Sequence, residues 1–164
     1  MGGFFAWLLN KERRPVTSPS GSTANPDAPG LAYGSTRGLR NNNPGNIRHG
    51  DQWQGMAKHQ PDPEFITFIT PAYGIRAMAR LIKNYQRLYG LESIEAIIYR
   101  WAPETENNTE SYVKAVAARM QYPRWKSLDL NDPEVMHSLI SAIIHHENGA
   151  QPYTTEISHG VMLA

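Results

Sequence analysis

Glu147 follows Ile143 by four residues and Ile140 by seven. On a helix, that spacing places its carboxyl on the apolar face, away from solvent. Asn148 and Gly149 come next, residue types that commonly end a helix. A carboxyl at such a place is pressed toward its neutral form twice, by partial burial and by the negative end of the helix dipole. A neutral carboxyl near pH 7 can donate a proton, so the expected chemistry is general acid catalysis. The plainer alternative is a surface glutamate in a fraying last turn, because perturbed carboxylates are often structural.

A second group is the loop Arg40-Asn41-Asn42-Asn43-Pro44-Gly45-Asn46-Ile47-Arg48. Its consecutive asparagines offer both donors and acceptors. Gly45 allows backbone conformations closed to other residues and close approach of a ligand. The loop suits a neutral ligand rich in hydroxyl and amide groups, such as an oligosaccharide. The alternative is a polar turn whose Asn side chains cap its own backbone. Trp53 can stack on a sugar face. Trp101 can too, but its helical spacing with Ile94, Ile97 and Ile98 favours the core.

Histidines also neighbour the acid. His145 and His146 adjoin Glu147, and His137 lies eight residues earlier. Adjacent helical residues point about 100° apart, so His145 and His146 do not serve one metal from one face. The His-Glu-x-x-His spacing of zinc peptidases is absent. No metal and no cofactor is expected.

Helices must position these groups. Ile75, Met78, Ala79, Ile82, Tyr85 and Tyr89 keep helical spacing until Gly90. Ile94, Ile97, Ile98 and Trp101 repeat it behind Ser93, with Pro103 as the stop. Tyr112, Val113, Val116 and Met120 mark a third helix, capped by Asn108 or Thr109. Val135, Met136, Leu139, Ile140, Ile143 and Ile144 mark a fourth, with Asp132 as cap and Pro133 at the first position. Phe65 to Ile69, between Pro63 and Pro71, reads as a strand or an extended arm. The class is mainly α, or α+β with one small extended element.

The chain of 164 residues has room for one domain, and without cysteine it has no disulfide, thiolate metal site or cysteine nucleophile. The catalytic body is expected at 37–164 and as a monomer. Residues 15–36 read as a linker rich in Pro, Gly and Ser that spans about 25 Å if flexible. Residues 1–14 form an arm in which Gly2–Leu9 is apolar and Lys11, Arg13 and Arg14 follow. A secretory signal has the opposite order. The arm suits contact with a membrane surface or a partner protein, or packing on its own domain. Residues 1–58 carry seven Lys/Arg against three Asp/Glu, and the rest nine against twelve. A net charge of +1 argues against a nucleic-acid binder dominated by phosphate neutralisation.

The loop at 39–47, Trp53-Gln54-Gly55, Phe65 to Phe68, Gly74-Ile75-Arg76-Ala77, Arg100-Trp101-Ala102-Pro103, Glu106-Asn107-Asn108-Thr109 and Tyr112 together resemble bacteriophage and prophage cell-wall hydrolases. The broader similarity is to the lysozyme superfamily, near the glucosaminidases and lytic transglycosylases. Ala142–Gly149 resembles the helix that carries the catalytic acid there, but it lies at the end of the chain, after the Asn loop. The resemblance therefore implies a circularly permuted lysozyme-like domain, a rearrangement that neighbouring termini permit.

The resemblance further implies cleavage of a glycosidic bond of bacterial peptidoglycan by a lytic transglycosylase or a muramidase or glucosaminidase. Glu147 is then the acid/base, and Asn42, Asn43, Asn46, Trp53 and Tyr112 bind substrate, with Tyr112 and Asn46 orienting its N-acetyl group. If the permutation does not hold, Glu64 or Glu106 becomes the acid. A two-carboxylate mechanism would need a partner such as Glu64, Asp62 or Glu106. The implied setting is a phage virion, or the host cytoplasm before release to the periplasm, and the resemblance would make a protein partner of the arm at 1–14 a virion protein. The rivals are a non-catalytic virion or glycan-binding protein of the same fold and a zinc cell-wall peptidase.

Overall fold

A computed structural model describes residues 36–105 and 108–164. The arm at 1–14, nearly all of the linker and Glu106 lie outside the described residues. Among the described residues the chain is mainly helical: α1 (Arg37–Arg40), α2 (Pro71–Tyr89), α3 (Ile94–Trp101), α4 (Thr109–Met120), α5 (Pro133–Asn148) and α6 (Thr155–Met162).

Local chemistry sets the helix ends. α2 begins at Pro71, whose missing N–H costs nothing in a first turn, and stops at Gly90 with φ 65°. Ser93 accepts the N–H of Ala96 at 3.2 Å and caps α3. Asn108 accepts from Ser111 at 3.1 Å and caps α4, and Asp132 accepts from Glu134 at 2.8 Å and caps α5. Gly149, with φ 70°, closes α5.

Two helices were not foreseen. α1 is a single turn, and α6 has only Ile157 and Val161 on its buried stripe with Gly160 between them. That glycine is what α6 needs. A Cβ on Gly160 would stand 2.6 Å from Ile75 and 2.7 Å from the Ala72 carbonyl, so its absence lets α6 press onto α2.

Phe65 to Ile69 forms the extended arm and not a strand of a sheet. Its backbone pairs are isolated bridges, Arg48 with Phe65 and Met56 with Phe68. The physical reason is its neighbour. Ile66 donates to the Ile47 carbonyl and Phe68 to the Asn41 carbonyl, so the arm lies along the irregular Asn loop, which cannot extend a ladder.

The core joins these parts. Ile47, Ile66, Ile75, Met78, Ile82, Ile97, Ile98, Trp101, Val113, Ile140, Ile143 and Ile144 have no exposed surface. Each such aliphatic side chain contributes about 1.5–3 kcal/mol relative to exposure. Because the inner face of α5 is locked into this core, the position of its last turn is fixed.

Candidate active site

The Asn loop is built by its own side chains. Asn43 is fully buried; its Nδ2 donates to the carbonyls of Ile47 and Ile66, each at 2.8 Å, and its Oδ1 accepts from the Ile47 N–H at 2.9 Å. Those bonds replace the backbone partners that a loop lacks. Asn43 therefore cannot bind substrate as expected, because it has neither surface nor free polar atoms. Asn42, half-buried with φ 52°, donates to the Phe68 carbonyl at 3.0 Å. Asn41 donates to Asp62 at 2.8 Å.

Asp62 anchors the loop from below. Arg37 meets it through Nε and Nη2, both at 2.6 Å, and the N–H groups of Glu64 and Phe65 donate at 2.9 and 3.0 Å. Burial acts to raise its pKa, but the guanidinium and these donors outweigh burial and hold the carboxyl well below the usual range. Asp62 is thus a fixed anion, not a proton donor. Glu64 is about half exposed and pairs with Arg37 at 2.7 Å.

Gly45 is needed for packing rather than for ligand approach. It has no positive φ, and a Cβ there would come within 2.8 Å of Met78 and 3.0 Å of Trp101. The left-handed positions of the loop fall on Asn42 and Asn46 instead, both with φ 52°. That turn aims Asn46 at the end of α5.

Three side chains from three elements converge there on Glu147. Asn46 Nδ2 donates to Oε2 at 3.0 Å. Tyr112 Oη donates to Oε1 at 2.9 Å, and Trp101 Nε1 donates to the same oxygen at 3.2 Å. The Trp101 and Tyr112 rings are buried, whereas Glu147 is only half-buried. Two buried walls thus orient a carboxyl that keeps some exposed surface.

The next residue locks this geometry. Asn148 donates to the Pro44 carbonyl at 2.9 Å and the Ile144 carbonyl at 3.0 Å, and its Oδ1 accepts from the Thr36 hydroxyl. Gly38 fits between the two asparagines: a Cβ would lie 2.7 Å from Asn46 Oδ1 and 2.9 Å from Asn148 Oδ1. Thr109, buried, donates its hydroxyl to the Ala102 carbonyl and so sets the start of α4 against the end of α3. That bond fixes Tyr112 relative to Trp101.

The arrangement can serve either protonation state. All three donors suit a carboxylate. Asn46 and the Trp101 indole can only donate from the atoms they use, but the Tyr112 hydroxyl can rotate and accept from a neutral carboxylic acid. The burial and helix dipole anticipated from sequence favour the neutral form, and the donors favour the charged one.

Sequence reasoning found Glu147, Asn46 and Tyr112, and the structure brings them together. Trp53 lies elsewhere, in a cleft of about 380 Å³ that it shares with Asp51 and Arg76 and that Glu147 does not line. Trp101 is core, as its spacing indicated, but its edge also reaches the acid. Helical periodicity reports the buried face of a ring and is blind to its N–H. The roles of Thr109 and Asn148 were missed, as was the contact of His146, whose ring stacks on Tyr112 at 3.7 Å and 20°. The other two histidines near the acid in sequence go other ways: His145 meets Arg119 at 2.8 Å and His137 meets Ser158 at 3.3 Å. Among the described residues no three His, Asp or Glu side chains gather as metal ligands.

No family model matches the sequence. Protein P5 of Pseudoalteromonas phage PM2 is 51% identical over 131 residues, which cover 77% of this chain and 80% of that protein. The chain belongs to the Protein P5 family. The family thus has a member in a bacteriophage, although the name of that member states no activity. No described helix is long and apolar enough to cross a membrane.

Proposed function

We propose that this member of the Protein P5 family is a peptidoglycan-cleaving enzyme of phage origin, and that Glu147 is its acid/base. The observation that carries the reading is the convergence of Asn46, Trp101 and Tyr112 on one half-buried carboxyl. A carboxyl gripped by its neighbours yet partly exposed is what positioned proton transfer requires. The lysozyme-like character and the permuted order belong to the same proposal. In support, the Asn loop and the acid-bearing helix meet in space although they stand at opposite ends of the body.

Among the described residues a single-carboxylate mechanism fits best. Asp62 is committed to Arg37, and Glu64 pairs with the same guanidinium. Protonated Glu147 gives its proton to the glycosidic oxygen as the C1–oxygen bond breaks. The carboxylate then takes the proton of the sugar's own 6-hydroxyl as that oxygen bonds to C1. The product carries a 1,6-anhydro ring and no water is consumed. Tyr112 can follow the proton by reversing its hydroxyl. Asn46 keeps Oε2 oriented and offers an amide edge to the N-acetyl group.

Incubation of the purified protein with purified peptidoglycan, followed by mass analysis of soluble fragments, tests the proposal. Anhydro-ended muropeptides are expected. Reducing ends would replace the mechanism by hydrolysis. Absence of soluble fragments would favour a non-catalytic virion or glycan-binding role.

A further inference from the structure

α2 carries Arg76, Arg80, Lys83 and Arg87 and no acidic residue in its 19 positions. Steps of four, three and four put these cations on one face. At 100° per residue that face is turned away from Gly74 and Met78, which press on the Asn loop. The row is about 16 Å long. Elsewhere Arg37, Lys114 and Arg124 have carboxylate partners, but none of these four is in an ion pair with a described carboxylate. Arg76 donates to the Leu163 carbonyl at 3.1 Å, and Arg87 to Asn84 at 3.2 Å.

The row borders the 380 Å³ cleft, where Gln52, Trp53, Gln54 and Asn84 stand beside Arg76 and Arg80. Asp51 also lines it, but its Oδ2 is buried without a hydrogen-bond partner and burial pushes its pKa up, toward the neutral form. Its single carboxyl stands against the two guanidinium groups of Arg76 and Arg80. Guanidinium forks, amide groups and an indole suit a ligand with carboxylates and peptide amides.

We propose that this row and cleft form an exosite for the carboxylate-bearing peptides of the cell wall, resting on the reading of peptidoglycan as substrate. A bilayer fits less well, because the apolar face of α2 is buried in the core and leaves little to insert. A duplex nucleic acid would engage one short row only. The ridge lies across α2 from the loop that holds Asn46, so it can hold an insoluble wall without covering Glu147.

Cosedimentation of the full chain with purified peptidoglycan tests this, with Arg80→Glu/Lys83→Glu and the milder Arg80→Gln/Lys83→Gln compared after circular dichroism has confirmed folding. Wild type and Glu147→Gln should bind alike, and both double variants should bind at least tenfold more weakly. Chemical amidation of the wall carboxyls should cause the same loss. Equal binding of amidated wall, or of both folded variants, overturns the exosite. So does charge-dependent binding that favours phosphatidylglycerol vesicles or duplex DNA over the wall. Release of muropeptides without charge-dependent binding removes the exosite alone; charge-dependent binding without release removes the catalytic reading alone.

Discussion

Asn46 reaches Glu147 across 101 positions of sequence and donates to its Oε2 at 3.0 Å. Neither residue could be placed there by its own element alone. Asn46 depends on a left-handed turn whose supports are Asn43 and Gly38, and Glu147 depends on a helix end tied to Pro44 through Asn148. Loop and helix are therefore one device, and damage to either should appear as loss of the other.

Tyr112→Phe should keep the buried ring and remove one donor from Oε1. Activity on peptidoglycan is expected to fall about tenfold or more, within the range for positioned acid/base groups. A donor to a carboxylate favours its charged form, so its removal should move the alkaline limb of the pH–rate profile upward. An unchanged profile would show that this hydroxyl does not govern the proton.

Gly38→Ala puts a methyl group against Asn46 and Asn148. We expect activity and thermal stability to fall together, because the methyl also meets the Asn43 backbone carbonyl at 2.9 Å and the two asparagine side chains can yield only at the cost of the alignment of Glu147. Activity and melting temperature measured on the same preparation check this. Full activity would mean that the alignment is not needed.

Thr109→Val is nearly isosteric but leaves the Ala102 carbonyl without its hydroxyl partner. A loss of about 1–3 kcal/mol in urea unfolding is expected. If α4 shifts with it, the Tyr112 bond to Glu147 weakens and activity falls too.

Acid should destabilise the fold through the base of the loop. Asp62 has a depressed pKa when folded, so its contribution is complete above the unfolded value of about 3.9 and is lost as pH falls toward the folded one. Glu110, which Arg124 pulls down to about 2, loses its contribution in the same window. Urea midpoints should drop below about pH 4. The drop should be shallower in Asp62→Asn, with a loss of about 2–3 kcal/mol already present at pH 7.

Much of this was legible in sequence because helices announce themselves by spacing. The buried stripes of α2, α3 and α5 and the inward turn of Glu147 follow from one periodicity, and the caps of α3 and α5 from residue type. α6 was missed because two apolar residues make no period, and its reason for existing is a contact between Gly160 and α2. The asparagines show a different limit. Their residue type says that they hydrogen-bond, but not to what: Asn43 is spent on its own loop while Asn46, three residues on, faces the acid. Trp101 was readable as core, yet its N–H, invisible to periodicity, is part of the site.

The most direct test compares wild type with Glu147→Gln, an isostere that keeps volume and can still bond Tyr112. Release of soluble muropeptides from purified peptidoglycan should fall at least a hundredfold, with melting temperature and wall binding little changed. Release by the folded Gln variant at the wild-type rate would contradict the account.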